Sequence, residues 1–177
     1  MKKYIIGIVL FVLVLASCQP NKDKRLEEIA EFELQILKDA KSITISKADS
    51  LLVMYDRYII EFPKDTNSAI MLMKASDICA NVKYCDKAVV YLERLIGDFP
   101  DYYTAELAFF KLAQVYEEAC LNKEKAKEQY KLFIEKYPNS RLATDASVIL
   151  NMLDMTDEME MIREFEKKNS ETNTLEN

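Results

Sequence analysis

Few residues in this sequence could do chemistry, and histidine is absent altogether. That removes Ser-His-Asp triads, Cys-His dyads and H-E-x-x-H zinc sites in one step. Thiols and carboxylates remain. Beyond the first twenty residues the cysteines are Cys79, Cys85 and Cys120. Three thiolates without histidine fall short of the four ligands of a structural zinc site. Small buried hydrophobes are the plainest reading of all three. A disulfide, most simply Cys85 with Cys120, is the alternative if the chain reaches an oxidising compartment. Carboxylates cluster at Glu117-Glu118 and at Asp154, Asp157 and Glu158, types that could supply acid–base catalysis or calcium ligands. No glycine-turned loop accompanies them, and charge runs on helices are usually solvated faces. Gly97 is the only glycine after Gly7, so both common phosphate cradles, G-x-G-x-x-G and G-x-x-x-x-G-K-[ST], are excluded. The expectation is a protein that is not an enzyme and holds no cofactor and no metal.

The elements that carry these residues begin with a leader. Met1-Lys2-Lys3 is cationic, and an apolar run from Ile5 to Leu15 follows, then small residues. This is the layout of a secretory signal, too short to span a bilayer as a permanent helix. Leu15-Ala16-Ser17-Cys18 resembles the bacterial lipobox. The resemblance implies a diacylglyceryl group on the Cys18 thiol, cleavage before it, and an acylated new amino terminus. Stable anchoring needs more than one chain, since each buried CH₂ contributes ~0.8 kcal/mol. Gln19 follows the cysteine, which by the same resemblance implies the outer membrane, with the body facing the periplasm or the exterior. The net charge is −6, and loss of Lys2 and Lys3 with the leader makes it −8. An acidic body without a basic stripe repels phosphate backbones, so nucleic acid is not an expected partner.

The body prolines stand at 63, 100 and 138, so 37 and then 38 apart, a period typical of helical repeats. Phe62, Phe99 and Tyr137 precede them by one residue, and Ile59, Ile96 and Ile134 by four. Tyr55, Leu92 and Tyr130 precede by eight; Leu51, Ala88 and Ala126 by twelve. Steps of three and four place each set on one helix face, ending at the proline. A second helix fits between successive prolines. Thr104 is positioned to cap one containing Phe109, Leu112, Ala113 and Tyr116. The matching slots after Pro63 are Leu72, Ala75, Ser76 and Cys79. After Pro138, Asn139-Ser140 opens a helix through Val148, Ile149, Leu150 and Leu153.

Leu112-Ala113 with Tyr116, then Lys125-Ala126, Tyr130 and Pro138, resembles a tetratricopeptide repeat, and Ala75-Ser76, Lys87-Ala88, Leu92 and Pro100 repeat the pattern. Tyr137-Pro138-Asn139-Ser140 is similar in style to repeats of two envelope families, the outer-membrane β-barrel assembly lipoproteins of the BamD type and the Tol-Pal-associated periplasmic repeat proteins. The fold expected is all-α, a helical-hairpin (TPR-like) solenoid of about three repeats with a closing C-terminal helix. Its segments are a leader over 1–17, a lipidated tether over 18–23, a helical domain over 24–168 and a disordered tail over 169–177. An amphipathic helix over Lys24 to Ala40, carrying Leu26, Ile29, Ala30, Leu34 and Leu37, opens the domain.

The resemblance also assigns a binding face. In the repeat register Ile70, Met73 and Asp77 fall in slots that line the concave side. So do Leu107, Phe110, Gln114 and Glu117 in the next repeat, and Val148 and Met152, with Met155, in the last. One reading is an apolar groove for a peptide or helix, with adaptable methionines. The other is a core covered by the N-terminal helix or by the helix continuing through Met161, Ile162 and Phe165. The function implied is a lipid-anchored scaffold binding protein partners in the envelope, with outer-membrane β-barrel assembly as the leading instance. A Tol-Pal or cell-wall organiser without client peptides is the alternative. No small-molecule substrate is evident.

Overall fold

A computed structural model of the chain describes residues 21–38 and 43–175. The leader, Cys18 and the first half of the tether lie outside the described residues, as does part of the loop before Ile45. Among the described residues, seven α-helices follow one another: α1 (Lys22–Lys38), α2 (Ile45–Glu61), α3 (Thr66–Asn81), α4 (Cys85–Asp98), α5 (Ala105–Gln114), α6 (Lys123–Lys136) and α7 (Arg141–Leu175). A π-helical segment, Val115–Ala119, extends α5. The architecture is all-α and built of helical hairpins, as the proline spacing predicts.

The three proline turns are copies of one another. Helices α2, α4 and α6 end two residues before Pro63, Pro100 and Pro138. Their C-caps Phe62, Phe99 and Tyr137 share φ of −133°, −133° and −128°, and each donates its backbone N–H to the carbonyl four residues back. Asp65, Tyr102 and Ser140 then donate their N–H groups to Phe62, Phe99 and Tyr137, at 3.0 Å in each turn. Proline follows the cap because it cannot donate within a helix. The next helices differ in how their first N–H groups are satisfied. Asp65 Oδ1 accepts from Asn67 N at 2.8 Å, and Ser140 Oγ accepts from Leu142 N at 3.0 Å. The middle turn has Tyr102 there, which has no acceptor within reach. Thr104, expected to supply the cap, sits at the N-cap but makes no side-chain cap bond. Its ψ of 0° departs from the extended backbone that aims a capping hydroxyl, and its Oγ1 is buried without a partner.

The chain forms two compact units, residues 1–71 and 72–177, with the boundary inside α3. In the first, α1 packs on α2. Tyr55, Tyr58 and Ile59 are fully buried, each worth ~1.5–3 kcal/mol in apolar burial. Arg25 of α1 is paired with Glu61 of α2 at 2.9 Å, and Tyr55 donates its hydroxyl to Glu33. Of the apolar residues expected to seat α1, only Ile29 is buried; Leu34 and Leu37 are exposed. In the second unit α5 packs between α4 and α6, and α6 packs on α7. Its core joins Phe110 and Ala113 to Ala126, Tyr130, Phe133, Ala146 and Leu153, with Tyr116 half-buried against it. Helix α7 continues through Leu175 and so takes in most of the segment read as a disordered tail. Neither glycine nor proline follows Pro138, so nothing in the chain stops it.

Candidate partner-binding site

Within the second unit, α3 and α5 enclose a pocket of about 450 Å³. Asp77 and Asn81 line it from α3, Lys111 and Gln114 from α5, Glu118 from the π-helical segment and Lys83 from the loop before α4. Ala80, Val115 and Ala119 form its apolar part. Asp77 and Lys111 are ion-paired across it. Lys83 Nζ donates to the Glu118 carbonyl at 2.8 Å. Beside this bond Cys85 and Cys120 form a disulfide, at a sequence separation of 35. The loop ahead of α4 is thus tied twice to the end of the π-helical segment. Cys79, by contrast, is a buried thiol on α3, the small-hydrophobe role expected of it.

The π-helical segment explains the uneven proline spacing. The connections after α3 and after the π-helical segment have three residues each, and their second residues, Lys83 and Leu121, both have positive φ, 62° and 52°. The one extra residue of the longer repeat lies in the helix before the connection. A π-turn absorbs an added residue by lengthening hydrogen bonds to five residues back, and Cys120 N bonds to Val115 O at 3.0 Å in that pattern. Carbonyls displaced from the α pattern are left for other donors, and Lys83 takes that of Glu118.

Of the nine residues expected to line a groove, Asp77 and Gln114 meet at this pocket. Ile70 and Met73 are half-buried, and Leu107 is partly exposed. Phe110 is only 6% exposed and belongs to the core, edge-on to Tyr130 and Phe133 at 5.7 and 5.4 Å. The expectation that it lines a groove is corrected: α6 covers it. Glu117 also turns toward α6, where it accepts the Tyr130 hydroxyl at 2.9 Å. Burial first, and then Glu117, raises the Tyr130 phenol above its usual range, so it stays a donor. Val148 and Met152 lie exposed on α7. The face expected to be apolar is therefore polar between α3 and α5. Lys111, Lys83, Asn81 and Glu118 were not anticipated. The signal for Glu118 was the 38-residue spacing, which marks an insertion near the second connection.

The two aspartates of the second acidic cluster are held in ion pairs. Asp154 and Asp157 bind Lys127 of α6, Asp157 also reaches Lys123, and these carboxylates raise the Lys127 ammonium above its usual range. Among the described residues, no three acidic or cysteine side chains gather as a metal site. No helix among them is long and apolar enough to cross a membrane.

This hairpin can be placed by comparison with known families. Residues 107–140 match the tetratricopeptide repeat family. The matched span runs from the first turn of α5, through the π-helical segment and α6, to the turn that opens α7. No curated protein matches the chain. Tetratricopeptide repeats are generally non-catalytic scaffolds, and the match suggests a protein-interaction role for the α5–α6 hairpin.

Proposed function

We propose that the protein is a lipid-anchored helical-repeat scaffold of the cell envelope, binding protein segments in the pocket between α3 and α5. The observation that carries this reading is the pocket itself. Its polar groups, Asp77, Asn81, Lys111, Gln114 and Glu118, come from helices of successive repeats. Such an arrangement offers donors and acceptors to an extended peptide backbone while the charged pair fixes its direction. The anchor reading rests on Leu15-Ala16-Ser17-Cys18, and the place at the outer membrane on the residue after the cysteine. Assembly of β-barrel outer-membrane proteins is the activity we assign, on the resemblance of the Tyr137-Pro138-Asn139-Ser140 repeat style.

The test is affinity purification of the full chain from the envelope. Wild type should recover a stable protein companion. Asp77→Lys with Lys111→Glu keeps the pair but reverses its direction, and should cut recovery at least tenfold while preserving the melting midpoint. Undiminished recovery by this variant would exclude the pocket as the binding site.

A further inference from the structure

Helix α7 has two apolar faces. Ala146, Ile149 and Leu153 turn into the core of the second unit. A little over a third of a revolution away, Val148, Met152, Met155, Met159 and Ile162 lie between 48 and 62% exposed. Their spacing is four, three, four and three residues, which keeps them on one stripe and is the period of a two-stranded coil. Repeat register explains the first part of the stripe. Val148 and Met152 stand 38 residues after Phe110 and Gln114, and Phe110 packs on α6, the helix that follows its own. Among the described residues no helix follows α7. Repeat arrays normally end in a capping element with a polar outer face, and α7 presents methionines there instead.

We propose that a second copy of this chain covers this stripe, α7 lying parallel and in register against α7. Charge decides for this occupant. Glu158 flanks the stripe one residue before Met159, and Arg163 one residue after Ile162. Five residues separate them, the offset at which flanking residues of two parallel in-register helices meet. Glu158 of each copy then faces Arg163 of the other, giving two opposite-charge pairs. Glu166 takes the next place in the stripe, where two copies repel, and it ends the seam. A membrane surface is a poor match, because Asp154, Asp157, Glu158, Glu164 and Glu166 outnumber the cations along this helix, whereas surface-binding helices are rich in lysine and arginine. The core face and the stripe lie on different sides of α7, so the core of the second unit does not fill the seam.

Sedimentation equilibrium of the full chain in mild detergent tests this. Wild type should sediment as a dimer. Met155→Glu with Met159→Glu should sediment as a monomer and keep the wild-type helical dichroism, because both side chains are exposed in the single chain. Glu158→Arg should raise the dissociation constant about tenfold, and adding Arg163→Glu should restore it. A wild-type monomer, a complex of one copy with a different protein, or a dimer indifferent to the methionine changes would each overturn the proposal. A dimer that weakens in Glu158→Arg and is not restored by Arg163→Glu would overturn the parallel register.

Discussion

Phe110 is held edge-on by Tyr130 and Phe133, so truncation leaves a cavity that α6 cannot collapse into. Phe110→Ala should lower stability by about 3–5 kcal/mol, and Phe110→Asp, which buries an unpaired charge, should prevent folding. Chemical denaturation followed by far-ultraviolet dichroism measures both. Sequence gave the identity of this residue as large and apolar, and its register, but not its destination. In a repeat, neighbouring slots on one helix face either the following helix or solvent, and a side chain as large as phenylalanine is drawn to the buried side. Asp65 offers a second test at this scale. Burial would raise its pKa, but bonds from Lys22, Asn67 and Tyr58 outweigh that and hold it at about 2, below the usual 3.8. A carboxyl depressed in the folded state contributes stability above its unfolded pKa and loses it as pH falls through the folded one. The first unit should therefore weaken between about pH 4 and pH 2, and Asp65→Asn should flatten that part of the acid limb in denaturation curves recorded across this range.

At the scale of elements, the proline turns were fully legible. Proline and the aromatic before it specify a C-cap through backbone constraints that no distant contact can override. The N-caps were less so. Asn122 caps α6 by accepting from Lys125 N at 3.0 Å, and Asn122→Ala should cost about 1 kcal/mol in thermal melts. Thr104 looked equally suited in sequence and fails because the turn that Tyr102 shapes leaves its hydroxyl off the helix axis. The π-helical segment lay hidden in a single added residue, since a π-turn has no composition of its own. Its partner, the Cys85–Cys120 bridge, closes a loop of 35 residues. Cys85→Ser with Cys120→Ser should lower stability by roughly 3–4 kcal/mol, read as a shift in the denaturation midpoint of the oxidised protein relative to the double variant.

For the whole molecule, the sequence specified a helical-repeat class because a period of 37 to 38 residues recurs at several positions at once. It did not specify the character of the binding face. Periodicity reports which residues share a side of a helix, and the ion pair between Asp77 and Lys111 depends on how two helices 34 residues apart are placed. The proposed anchor belongs to this scale as well. Cys18→Ser should abolish incorporation of a fatty-acid analogue and move the protein out of its membrane fraction; equal labelling of wild type and variant would refute the lipobox reading.

The nearest-neighbour packing of α4 through α7 also sets an order of events in time. Bonds that tie one helix to another join residues between 13 and 43 apart, so each closes a short stretch of chain. Short closures cost little entropy and form quickly. As the chain is synthesised, α4 and α5 can dock before α7 has been added. The far end of α7 follows the rest of this body in the chain, so the apolar stripe is completed only once the helices before it have already closed.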